Sequence, residues 1–210
     1  TGLDKVARLE MQLLPVVTDI EAAGFAVDRD KLRSIEVGAK AAATEQGARL
    51  RQKLDQPKLN PSSPQQLLAA LGSVGINVTD THEDTLKAAN DMNIIPLILG
   101  FRAAEKLAQQ ATTLLDCVKS DGRIHGRFDP TGTATGRFSS KEPNLQNIGR
   151  GELRSCFVPT AEHKLIVADY SQIELRAAAA IAGETKMIDA YKNSADLHKQ
   201  TAAAVLGKPA

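Results

Sequence analysis

Asp169 is the first residue placed to do chemistry. It closes the run Lys164-Leu165-Ile166-Val167-Ala168-Asp169, which has the form of a buried strand ending in an acid. A carboxylate at the C-terminal end of such a strand, beside a helix N-terminus, is a favoured place for a metal or ligand. The same acid could simply cap or solvate the turn. One acid does not hold two magnesium ions, because hard cations take several oxygen ligands. Glu174 is near in sequence, but Ser171 and Glu174 read as a capping box that would occupy it. A second candidate is Thr131–Ser140, rich in Gly, Thr and Ser and carrying Thr133 and Arg137. Small residues let a backbone approach phosphate or sugar, while hydroxyls and a guanidinium supply donors. An ordinary polar loop has this composition too, and no Gly-Lys-Ser/Thr makes it a P-loop. Asn144, Gln146 and Asn147 add amides able to reach a minor groove, and Arg150 and Arg154 add cations. His198 lies just inside a helix capped by Asp196, facing an anion site or merely solvent. Arg176, alone, reads as structural or solvated, as a lone helix histidine usually is.

These residues need elements to hold them. Apolar residues from Leu3 to Ile20 recur at three- and four-residue steps, so 3–23 reads as a helix, interrupted or kinked at Pro15 and stopped by Gly24. Phe25–Asp28 is a short extended link. Asp28 caps a long helix over 29–54 with Leu32, Ile35, Ala39, Ala42, Leu50 and Leu54 inward. Ser63, Pro64 and Gln66 start another helix, closed by Gly72 and Gly75. Thr81 with Asp84 caps a short helix to Asn90, and a long one covers 94–119. The character changes at Ser120-Asp121-Gly122, a turn signal. Residues 123–129 alternate like a strand. The 164–169 strand leads to a helix through Ile181 stopped by Gly183. Helices over 185–192 and from Asp196 to Gly207 complete the chain.

The expected class is therefore α+β, mostly helical, with a few antiparallel strands and a boundary near 120. The 210 residues are 42% hydrophobic and 24% charged, which is wrong for disorder. No apolar run approaches the roughly 18–20 residues that span a bilayer. There is no signal peptide at Thr1, so a reduced cytosolic setting is the default. Cys117 and Cys156 show no CxxC spacing, hence no disulfide scaffold or zinc site is indicated. With no Trp, 2 Tyr, 5 Phe and 31 alanines, the core must be aliphatic helix contacts. The net charge of +1 hides a local excess: Arg123, Arg127, Arg137, Lys141, Arg150 and Arg154 outnumber the acids between 121 and 154. No initiator Met opens the sequence and no closing segment ends it, which points to a piece of a longer protein.

Taken in order, the motifs agree. Thr133-Ala134-Thr135-Gly136-Arg137-Phe138-Ser139-Ser140, Pro143-Asn144-Leu145-Gln146-Asn147-Ile148, Val167-Ala168-Asp169-Tyr170-Ser171-Gln172-Ile173-Glu174-Leu175-Arg176 and Asp196-Leu197-His198 together resemble family A DNA polymerases of the bacterial polymerase I type. The third run is similar to that family's motif A. Weaker likeness extends to Asn60–Leu67 and Gly24–Asp28. One departure is a shorter segment between Ile148 and Phe157.

The resemblance implies a lead-in over 1–28, a helical thumb over 29–119, the first half of the palm over 120–195 and the start of the fingers over 196–210. It implies template-directed addition of deoxynucleotides to a primer 3′ end by two-magnesium phosphoryl transfer. Asp169 would be a metal ligand, helped by the Tyr170 carbonyl. Tyr170, Ser171, Gln172, Ile173, Glu174 and His198 would surround the triphosphate, with Glu174 excluding a ribose 2′-hydroxyl. Thr133, Arg137, Asn144, Gln146, Asn147, Arg150, Arg154 and Arg176 would meet DNA. The implied partners are primer-template DNA and deoxynucleoside triphosphates, without a membrane, in the cytoplasm of a bacterial or phage-infected cell. The family's triphosphate-binding helix and second metal carboxylate are expected past Ala210, so the chain alone is expected not to polymerise. The alternative is a non-catalytic DNA-binding or assembly module derived from a polymerase.

Overall fold

A computed structural model describes residues 3–193 and 196–207. Helix α1 runs Leu3–Ala23, continuous through Pro15. Gly24, at φ +57, ends it, and a Cβ there would lie 2.7 Å from the His125 ring. Strand β1 (Phe25–Ala26) follows. Asp28 then caps α2 (Arg29–Lys53) by accepting from the Lys31 N–H at 2.9 Å. Helix α3 (Pro64–Ser73) starts at the Ser63 cap with Pro64 in its first turn. The reciprocal half of that capping box is absent: Gln66 Oε1 accepts from the Asn60 N–H instead.

Helix α4 is short, Glu83–Ala88, and its cap is His82, with no side-chain bond. Thr81 has been recruited elsewhere. It is buried, and its hydroxyl and carbonyl both accept from the Arg102 guanidinium on α5 (Ile95–Cys117). A buried polar residue needs such a partner, and that requirement outweighs local capping. Asp91 starts α5, accepting from the N–H groups of Asn93, Ile94 and Ile95; these bonds, Ile94's foremost, hold its carboxyl below the ordinary range.

Helices α2 and α5 lie antiparallel and form the frame. At one end Leu50 and Leu54 join Leu67, Leu71, Leu86, Ile95 and Ile98. At the other, Leu32 meets Ala111, Leu114, Ile124, Leu153 and Cys156. The core is thus aliphatic, as a chain without Trp requires.

The expected strand over 123–129 is two strands. Strand β2 (Arg123–Ile124) pairs antiparallel with β1, whereas β3 (Arg127–Asp129) pairs antiparallel with β4 (Ser139–Lys141). Gly126 sits between them, where a Cβ would come within 2.8 Å of the Leu145 side chain. Short 3-10 turns follow at Leu145–Asn147 and Leu153–Cys156. Helices α6 (Ile173–Ala182), α7 (Thr185–Lys192) and α8 (Leu197–Leu206) close the chain. Two compact units result, Thr1–Lys164 and Leu165–Ala210. No helix among the described residues is long and apolar enough to cross a membrane.

The end of α1 has no basic residue of its own in its last turn. Cations come from β2 and the residue after it. Arg123 donates to the carbonyls of Ala23 and Gly24. His125 places Nδ1 2.8 Å from the Glu21 carbonyl and Nε2 2.9 Å from the Asp121 carboxylate. Both partners only accept, so both ring nitrogens donate only in the imidazolium form. The Glu21 bond, then the Asp121 bond, raise the His125 pKa above 6.5. The His125 bond in turn is the main cause that lowers the Asp121 pKa. The His125 contribution to stability is complete below its unfolded pKa and is lost as pH rises through the raised folded value. The Asp121 contribution is lost at the acid end, as pH falls through its lowered value. Urea unfolding of the protein and His125→Gln should therefore differ most near about pH 6 and converge by about pH 9. A difference that stays constant across that range would show the pair does not titrate with folding.

Candidate nucleic-acid and catalytic site

The first unit gathers the loop residues. Strands β3 and β4 pair Arg127 with Lys141 and Asp129 with Ser139, so they close the loop that bears Arg137. That loop is braced internally. Asp129 Oδ1 accepts from both the N–H and hydroxyl of Thr131 at 2.9 Å, and the Thr133 hydroxyl donates to the Arg137 carbonyl at 2.7 Å. Gly136 supplies the positive φ of +73 that turns the chain. Arg137 itself is exposed.

The next segment packs against this hairpin. The buried Ser140 hydroxyl donates to the Pro143 carbonyl and accepts from the Leu145 N–H. Asn144 Oδ1 caps the following turn by accepting from the Gln146 N–H, and Gln146 Nε2 donates to the Phe138 carbonyl at 2.9 Å. Gln146 therefore fixes the backbone beside Arg137. Arg150 and Arg154 are exposed. Not every cation of the basic stretch is uncompensated: Arg127 pairs with Glu142 at 3.0 Å.

An open pocket of about 370 Å³ lies between this segment and α5. Asn144 and Asn147 line one side; Lys106, Gln109, Gln110 and Thr113 line the other. The apolar stripe of α5 does not point to these four helix residues. Their signal is the complementary polar stripe at three- and four-residue spacing. Leu114, Pro143, Ile148 and Leu153 complete the lining, so one cation and several amides rim a groove that is largely apolar.

The second unit holds the motif turn. Residues 164–170 form no strand and are exposed, Ile166 by 90% and Val167 by 80%. This corrects the buried strand expected there. A strand exists only when its N–H and C=O groups are paired, and no strand among the described residues of this unit offers an edge. Asp169 and Tyr170 are exposed on this segment. The cap position also differs from the one expected. Gln172, not Ser171, takes the cap position, in left-handed geometry and with no side-chain cap bond. The Ser171 carbonyl instead accepts from Arg176 Nε at 2.8 Å. The Arg176 guanidinium lies 4.3 Å from the centroid of the Tyr191 ring. Glu174 and Ile173 are exposed in the first turn of α6. His198 belongs to α8, whose start Asp196 caps by accepting from the Lys199 N–H; the His198 side chain lies outside what the structure describes. Residues 194 and 195, at the expected end of the palm, lie outside the described residues.

Asp169 and the Tyr170 carbonyl are hard oxygen donors of the kind magnesium takes. Among the described residues no group of three His, Cys, Asp or Glu side chains could hold a metal. The donors fit the ion in kind; two of them do not fill its coordination sphere.

Comparison with known proteins places the chain. The profile of DNA polymerase family A matches residues 29–210. DNA polymerase I of Caldicellulosiruptor bescii is 38% identical over 215 residues, covering 95% of this chain and 25% of that protein. DNA polymerase I of Aquifex aeolicus is 33% identical, covering 97% of this chain and 36% of that protein. Among solved structures, the POL domain of Pol1 from M. smegmatis, in complex with DNA primer-template and dNTP, aligns with a TM-score of 0.82 at 29% identity. The alignment covers 98% of this chain and 41% of that one. The chain thus spans about a quarter to two-fifths of the proteins it matches, and over nearly its whole length it belongs to DNA polymerase family A.

Proposed function

We propose that this chain supplies the thumb and the leading part of the palm of a DNA-directed DNA polymerase. Residues 29–119 act as the thumb, 120–195 as the first half of the palm, 196–210 as the start of the fingers and 1–28 as the lead-in. The observation that carries the reading is the family match through the Asp169–Arg176 motif, with Asp169 exposed to solvent. Asp169 and the Tyr170 carbonyl would hold magnesium, which when bound supplies charge neutralisation to phosphoryl transfer. Glu174 meets the sugar of the incoming deoxynucleotide and His198 its triphosphate. Ser171, Gln172 and Ile173 form the floor beside them. Arg137, flanked by Thr133 and Gln146, contacts the primer end. Asn144, Asn147, Arg150 and Arg154 hold the duplex backbone. The setting is the cytoplasm of a bacterial or phage-infected cell.

The chain alone is expected not to polymerise, since it spans only about a quarter to two-fifths of the polymerases it matches. The same partial span favours a second reading, a module that binds DNA without extending it. Both readings require affinity for duplex. A primer-template titration across salt should show binding that weakens steadily, and Arg137→Ala together with Arg154→Ala should lower the salt slope by about one to two. No binding even at low salt would overturn both. Primer extension with magnesium and four deoxynucleotides should be absent. Template-dependent extension by the chain alone, abolished by Asp169→Ala, would overturn the expected inactivity.

A further inference from the structure

The first turn of α6 starts from a disfavoured backbone. Gln172 has φ 53 and ψ 38, the left-handed region that residues with a Cβ avoid. It makes no capping bond, and its Oε1 atom is buried with no hydrogen-bond partner. Such a conformation persists only where its surroundings over-determine it.

Arg176 is what holds it. Its backbone N–H donates to the Gln172 carbonyl at 3.0 Å, and its Nε donates to the Ser171 carbonyl at 2.8 Å. Backbone and side chain of one residue thus hold two successive carbonyls ahead of the helix, the side chain holding that of Ser171. The guanidinium is itself seated on the Tyr191 ring of α7, 4.3 Å from the centroid, within range of a cation–π contact. The Tyr191 hydroxyl is buried without a partner, so the ring face, not the hydroxyl, makes the seat. The turn so fixed directly follows Asp169 and Tyr170 in the chain.

We propose that Arg176 is a positioning residue: seated on Tyr191, it fixes the Ser171–Gln172 turn and thereby places the Asp169 carboxylate and the Tyr170 carbonyl for nucleotide transfer. This rests on the polymerase reading. It differs from a direct DNA contact, because the Nε edge and one face of the guanidinium are already engaged within the unit. Arg and Lys are not equivalent here, since an ammonium has neither the planar face nor the Nε edge.

The test has two arms. In this chain, the Arg176 Nε–H should give a protected, ring-shifted NMR resonance, kept in Tyr191→Phe and lost in Tyr191→Leu. In an active polymerase carrying this chain in place of its matching stretch, Arg176→Ala should lower the rate of nucleotide addition by about 10–100-fold, the scale expected of a small misplacement. Duplex affinity and its salt dependence should not change. Tyr191→Leu should reproduce the loss, Tyr191→Phe should retain the rate, and Arg176→Lys should not rescue it. The double variant should be no worse than Arg176→Ala. A weakened duplex affinity with a salt slope lower by about one and an unchanged rate would instead make Arg176 a phosphate contact. A neutral Tyr191→Leu, or an unprotected Nε–H, would likewise overturn the proposal. An exchange polymerase inactive before any substitution would refute the polymerase reading and the catalytic half of this inference with it, while an active one indifferent to Arg176→Ala would refute the clamp alone.

Discussion

Asp169→Ala should lower the rate of nucleotide addition roughly a thousandfold or more, about 4 kcal/mol of barrier, in a polymerase that carries this chain. The measurement is single-turnover addition by C. bescii DNA polymerase I with this chain exchanged for its matching stretch. Two features make the experiment clean. Asp169 is exposed on an irregular segment, so alanine there removes no core contact and leaves no buried partner stranded. It also lies apart in sequence from the 131–154 stretch proposed to grip the duplex, so primer-template affinity should stay within about twofold. Rate and affinity then separate chemistry from binding. An Asp169→Ala polymerase within about tenfold of the parent rate would remove Asp169 from the metal site and leave the motif a structural turn.

The same residue shows where reading a sequence succeeds and where it stops. Asp169 stands out because an apolar run, an acid and a helix start are local features. Helices follow the same rule. The expected 29–54, 94–119 and 185–192 are observed as Arg29–Lys53, Ile95–Cys117 and Thr185–Lys192. The first two are written in a three-to-four-residue apolar stripe, and Asp28, just ahead of the first, adds its cap.

Strands are different, because a strand is an agreement between distant segments. The alternation at 123–129 is real, but its two halves answer to different partners, Phe25–Ala26 and Ser139–Lys141. The run at 164–169 has the right residues, but the described residues that follow it form no strand whose edge it could join. Side chains drawn into tertiary bonds were equally hidden. Thr81 leaves its expected cap to hold Arg102, and Arg176, which in sequence reads equally as structural or solvated, binds Ser171 and Tyr191. Neither partner is near enough in the pattern to be inferred. The polar stripe of α5 was legible in principle, but its significance depends on Asn144 and Asn147 lying opposite it.

Leu32→Ala should destabilise the first unit by about 3 kcal/mol, within the range of about 2–5 kcal/mol for a leucine truncated in a closed core. Leu32 is completely buried. It packs where α2 meets α5, Ile124 and the Leu153–Cys156 turn, so the space it vacates is walled by four separate elements. Collapse around it would require all four to move, which places the cost above that of a surface-adjacent leucine. Leu67, also fully buried, belongs to the other cluster, around Leu50, Leu71 and Ile98. The two clusters share the α2 and α5 frame, and such helices owe most of their stability to tertiary packing, so loss of packing at one end weakens the frame as a whole. Leu32→Ala and Leu67→Ala should therefore shift one common urea transition, each with the m-value of the parent. If instead Leu32→Ala splits the transition and leaves the Leu67 cluster folded, α2 and α5 do not couple the two ends. The hairpin bearing Arg137 follows Ile124 of the Leu32 cluster directly in the chain. The DNA contacts proposed for it would then be lost while the helical end persisted, and duplex affinity followed along the urea titration would show it.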